Sequence, residues 1–140
     1  EEMVCLYHGM ANNLAQRVAW HAAQELTGSS LRSGFLSTLR FTLLALNDFD
    51  YLQGAKQING YFDELVVGWQ SCQTREEAEA LEQAELLGDH HYPLNIQGNR
   101  KPELLQYVRF LKDVRKNYRN RYLGMMAASP AGISRECDSD

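Results

Sequence analysis

The chain has 140 residues, enough for one domain whose core needs no disulfide or metal staple. Its 44% hydrophobic and 23% charged residues match an ordinary globular protein and exclude long-range disorder. A net charge of -4 argues against a dedicated nucleic-acid binder, and no apolar run is long enough to span a bilayer.

Cys5, Cys72 and Cys137 are odd in number, far apart and form no C-x-x-C pair. They read as reduced thiols of an intracellular protein, cytoplasmic or nuclear. The opening Glu-Glu-Met reads as that of an excised domain or a processed chain.

In chain order, Met3, Leu6, Met10, Leu14 and Val18 recur at helical spacing, which predicts a first helix over Glu2 to Leu26, stopped by Gly28. A second helix is predicted from Leu31 or Ser33 to Leu46. Its apolar residues Phe35, Leu36, Leu39, Phe41, Leu43, Leu44 and Leu46 go most of the way round, as expected of a central helix. Ser33, Ser37 and Arg40 are its water-facing candidates. The Asn47 to Asp50 link then feeds a third helix from about Tyr51 to Cys72, with Asn59-Gly60 as its weakest point.

Residues 43–62, LLALNDFDYLQGAKQINGYF, resemble one hairpin of the tetratricopeptide or PCI-like helical-repeat families. In such a hairpin a short Asp-aromatic-Asp turn feeds a helix carrying small residues, here Gly54-Ala55. The resemblance implies a protein-binding scaffold without catalysis and transfers no functional residues. No second copy occurs at a fixed spacing.

Thr74 and Glu77 form a capping box that opens an acidic fourth helix, ending at Gly88. The long irregular connection from Asp89 to Asn99 carries His90, His91 and Tyr92. The fifth helix, Pro102 to Leu123, is basic and tyrosine-rich, with Leu104, Leu105, Val108, Leu111, Val114, Tyr118 and Tyr122 on one face and Gly124 as its stop. Packing of the acidic helix against this basic one is the simplest arrangement. The fold expected is therefore all-α, with about five helices in a compact bundle or short hairpin array. Residues 1–128 form the domain and 129–140 a flexible acidic tail.

On function, the expectation is a non-enzymatic interaction, regulatory or scaffold domain whose partner is another protein or a second copy of the chain. Its contact surface is the basic face of Arg100, Lys101, Arg109, Lys112, Arg115, Lys116, Arg119 and Arg121. The alternative is RNA or single-strand binding through that face, with Tyr107, Tyr118 and Tyr122 stacking on bases. A remote alternative places an enzyme or zinc site at the Asp89–Tyr92 loop. No G-x-S-x-G, phosphate loop or paired metal-ligand spacing occurs, so no catalytic residue, metal or cofactor is expected.

Overall fold

The computed structural model describes residues 3–128. Among the described residues there are six α-helices, one 3-10 turn and no strand. Helix α1 is Leu14–Ala23, opened by the Asn13 side chain accepting the Gln16 N–H at 3.0 Å. Helix α2 is Gly28–Ser33 and α3 is Thr38–Asn47. Thr27 caps α2 and Ser37 caps α3, each by accepting the N–H three residues on. Helix α4 is Ala55–Asp63. Helix α5, Arg75–Leu87, opens on a shifted form of the capping box: Thr74 accepts the Glu77 N–H at 3.1 Å, while Glu77 accepts the N–H of Gln73, one residue before the cap, at 2.8 Å. A 3-10 turn at Pro102–Leu104 leads into α6, Leu105–Ala128.

Helix α3 is central. Every residue from Leu39 to Ala45 is buried, so the helix is covered on all sides. Its most extensive partner is α6, whose Tyr118 and Tyr122 join Leu31, Phe41, Leu44, Tyr51 and Ile58 in the main core. The aromatic packing is edge-on or tilted, with Phe41 and Tyr118 centroids 5.5 Å apart and Tyr118 and Tyr122 4.8 Å apart. Two of the core tyrosine hydroxyls find a carbonyl: Tyr118 donates to Phe49 at 2.6 Å and Tyr51 to Thr27 at 2.8 Å.

Several expectations need correction. The first helix starts only at Leu14. Residues upstream run extended, because their backbone is tied across to the 92–96 loop rather than to itself. Gly28 opens α2 instead of stopping α1, and the second predicted helix is two, broken at Gly34 with φ 75°. Arg40 and Ser37 face the interior: Arg40 is 2% exposed and donates to Ala22 O at 2.9 Å and Asn59 Oδ1 at 2.7 Å. The third predicted helix stops at Asp63, not at Asn59-Gly60. Beyond it Val66, Val67 and Trp69 are exposed. α6 runs straight through Gly124 to Ala128. The acidic α5 does not lie on the basic α6; among the described residues no ion pair joins them. The predicted acidic tail from 129 lies outside the described residues.

Candidate active site

Three segments remote in sequence meet at one cleft of about 450 Å³: the extended N-terminal stretch, α5, and the loop between α5 and α6. Tyr7, Glu82, Asn95 and Arg100 line it, and Thr38 contributes from the first turn of α3. The loop is built by its own polar groups. Asn95 N–H donates to Tyr92 O at 3.0 Å, Asn99 Nδ2 donates to Asn95 O at 3.0 Å, and Tyr92 OH donates to Glu85 Oε2 at 2.7 Å. Burial and then the Glu85 carboxylate push the Tyr92 phenol up to about 12, so it stays a donor.

The loop in turn holds the N-terminal stretch. Leu94 N–H donates to Leu6 O at 3.0 Å, and the Asn95 side chain bonds both backbone groups of His8. Tyr7 lies between these two anchored residues. Burial raises its pKa, Arg17 opposes that rise and Glu82 adds to it. Tyr7 is therefore a protonated hydrogen-bond donor at neutral pH, flanked by one cation and one carboxylate. Its ring meets the edge of His21, centroids 5.4 Å apart. His21 Nδ1 shares a 2.6 Å hydrogen bond with Ser37 Oγ, and its buried Nε2 has no partner. Burial, then Arg17, lower the imidazole to about 4, so it is neutral. Arg17 and His21 sit one helical turn apart on α1 and so face the same way.

Chemically, the cleft offers the Arg100 guanidinium for an anionic group, a phenol that donates and a carboxylate that accepts, with His21 against the Tyr7 ring and Arg17 acting on Tyr7 through its charge. That is a set suited to a phosphoryl group.

The residues predicted as a basic contact face do not act together. Arg100 alone lines the cleft. Lys101 is buried and donates to His90 O, and Arg121 pairs with Asp48 at 2.5 Å. Arg109, Lys112 and Lys116 are exposed, and Arg115 and Arg119 are half-buried. Tyr118 and Tyr122 are core residues, so they offer no ring to a base. Tyr107 is half-buried beside Phe110, centroids 5.8 Å apart. At the Asp89–Tyr92 loop His91 bonds Glu103 at 3.1 Å, and among the described residues no group of three or more His, Cys, Asp or Glu is placed to hold a metal ion.

Spacing along the sequence does not mark Tyr7, Arg17, His21, Glu82 and Asn95 as a site. The one local signal is the four-residue step from Arg17 to His21; the rest of the cleft is assembled by long-range contacts.

A family model described as the GIY-YIG catalytic domain matches residues 1–117, a span that contains every residue of the cleft. The chain belongs to that family, which is one of nucleases. This overturns the resemblance of residues 43–62 to helical-repeat families, and with it the non-enzymatic scaffold and protein-interaction reading. Nucleases of this family act on nucleic acid, the partner class that the sequence offered as its alternative. Neither Gly-Ile-Tyr nor Tyr-Ile-Gly, the tripeptides of the family's name, occurs in the sequence. No curated protein and no solved structure gives a significant match. No helix among the described residues is long and apolar enough to cross a membrane.

Proposed function

We propose that the chain is a nuclease that cuts phosphodiester bonds in the Tyr7 cleft. The observation that carries this reading is that the family match encloses a cleft where the Tyr7 phenol, the Glu82 carboxylate and the Arg100 guanidinium converge. Arg100 neutralises the phosphoryl group, as guanidinium forks do for phosphate oxygens, and the Arg17 charge acts on Tyr7. Protonated Tyr7 donates to a phosphoryl or leaving oxygen. Glu82 accepts the proton of the attacking water. A single carboxylate is also compatible with a magnesium ion held mainly by substrate phosphates.

The test is incubation of the purified chain with single- and double-stranded DNA and RNA, with magnesium or manganese supplied. Cleavage is expected, falling about 10²- to 10⁴-fold in rate for Tyr7→Phe and for Glu82→Gln. Absence of cleavage on every substrate overturns the proposal. So does cleavage that both variants leave unchanged, since the site would then lie elsewhere.

A further inference from the structure

Two arginines that do not line the cleft, Arg115 and Arg119, gather where α2 meets α6. Arg115 lays its guanidinium over the Phe41 ring, 5.5 Å from the centroid. Arg119, one turn further along α6, donates to Arg32 O at 2.8 Å, and its head lies beside Gly34. Gly34 ends α2 in the left-handed region at φ 75°, so Arg119 meets the carbonyl end of that helix, where a cation is favoured.

What the cluster lacks is a counter-charge. The Nε atoms of Arg115 and Arg119 are both buried without a hydrogen-bond partner. No carboxylate pairs with either among the described residues, whereas Arg75 is paired with Glu79 and Arg121 with Asp48. Asp113 is exposed and sits two positions from Arg115, a spacing that points it to another side of the helix. Burial, then the charge of Arg119, pull the Arg115 pKa below its ordinary value. Like charges four residues apart on a helix destabilise one another, and half-buried cations without a counter-charge are costly. An anion supplied from outside relieves both costs.

The position of the cluster selects the anion. Thr38, on the first turn of α3, lines the cleft, and Phe41, which carries Arg115, lies three residues further along the same helix. Residues at that spacing are neighbours, with Cβ atoms about 5–6 Å apart. Thr38 at the cleft and the Phe41 ring under Arg115 thus lie about one turn apart on α3. Lys112 and Lys116 extend the cations along α6, so that Lys112 to Arg119 spans about 10 Å. A row of that length suits a polyanion with repeating charge better than a single carboxylate.

We infer that Arg115 and Arg119 form a phosphate subsite for the flanking backbone of a nucleic-acid strand whose scissile bond lies in the Tyr7 cleft. The substrate is then a chain of several nucleotides, gripped at a second point outside the cleavage site. This inference rests on the nuclease reading for its substrate, but its binding test does not.

The test compares the full chain with Arg115→Gln plus Arg119→Gln, and with Arg115→Lys plus Arg119→Lys. Binding is measured with a long phosphorothioate oligonucleotide, which keeps its charge and resists cutting, across a salt series. The Gln pair is expected to weaken binding about tenfold or more and to flatten the salt dependence by about one ion for each phosphate no longer neutralised. The Lys pair restores much of the salt slope. On a cleavable strand the Gln pair raises KM and leaves kcat unchanged, and on a dinucleotide it changes neither. Equal binding and an equal salt slope for parent and Gln pair overturn the subsite, as does failure of the parent to bind at all. Salt-dependent binding that disappears in the Gln pair, in a chain that cuts nothing, supports the subsite and sinks the nuclease reading alone.

Discussion

Asn95 holds His8 from both sides. Its Oδ1 accepts the His8 N–H at 2.8 Å and its Nδ2 donates to the His8 carbonyl at 2.7 Å, across 87 positions of sequence. One buried side chain thus does for the N-terminal stretch what a neighbouring strand does in a sheet, and the next bond, Leu94 to Leu6, continues the pairing. Tyr7, between the two anchored residues, is aimed into the cleft as a result. Asn95→Ala removes two hydrogen bonds at a cost of about 1–3 kcal/mol and should lower cleavage as far as Tyr7→Phe does. Asn95→Asp keeps the acceptor only and should fall between. Chemical denaturation and cleavage rate measured together test this. A destabilised Asn95→Ala chain that still cuts at the full rate would remove the positioning role.

The neutral His21 makes stability depend on pH in a defined window. Its folded pKa of about 4 lies below the ordinary 6.5, chiefly through burial and then through Arg17. Between those values the unfolded chain binds more protons than the folded one. Stability should therefore rise from about pH 4 to about pH 6.5 and level off above, the slope being set by proton uptake on unfolding. His21→Asn should flatten that rise without removing the effect of ordinary carboxylates at lower pH. Urea midpoints taken at several pH values for both chains decide it, and parallel curves would show that His21 titrates normally.

How much of this is legible in the sequence depends on which forces are local. The capping box at Thr74 and Glu77 involves groups four positions apart or fewer, and it stands where the spacing puts it. The encircling apolar residues of α3 also announce a central helix, because a helix covered on all sides must be apolar on all sides. The Met3–Leu6–Met10 spacing misleads, since the backbone partners of that stretch lie near residue 95 and no periodicity encodes them. Arg40 reads as a surface residue until Asn59 and the Ala22 carbonyl are seen around it. Tyr118 and Tyr122 belong to the apolar stripe, as their spacing indicates, but not to a stacking surface; burial leaves only the first role. The cleft is invisible in the sequence because Tyr7, Glu82 and Arg100 come from three segments, and no fixed spacing joins them.

Arg40 is the test of how a buried cation survives without a carboxylate. Two acceptors and the face of Phe62, 6.0 Å from the guanidinium, replace one, while burial lowers the pKa of the group. Removing an acceptor leaves the charge stranded, so Asn59→Ala should cost about 1.5–3 kcal/mol. Arg40→Ala should cost more, about 3–5 kcal/mol, by emptying the space and orphaning Asn59 and the Ala22 carbonyl. Arg40→Leu, which refills the space with apolar atoms, should be milder than Arg40→Ala. Denaturation midpoints give the order directly, and a neutral Asn59→Ala would mean that water takes over the bond.

Gly98 tests whether the floor of the cleft is set by backbone geometry. It occupies the left-handed region at φ 78°, and a Cβ built there would stand 3.4 Å from Leu86 Cδ1. Leu86 is the buried residue of α5, and Glu82 lies one turn earlier on the same helix. Gly98→Ala therefore adds a backbone strain of about 1–2 kcal/mol, with its methyl in contact with the Leu86 side chain of α5. Loss of stability by that amount is expected, with a further loss of cleavage as Glu82 moves with its helix. Gly98→Asn separates the two effects, because asparagine tolerates the left-handed region better but is larger than alanine. It should recover stability relative to alanine without recovering the cutting rate. If both substitutions cut as well as the parent, α5 is held by contacts other than the Leu86–Gly98 approach.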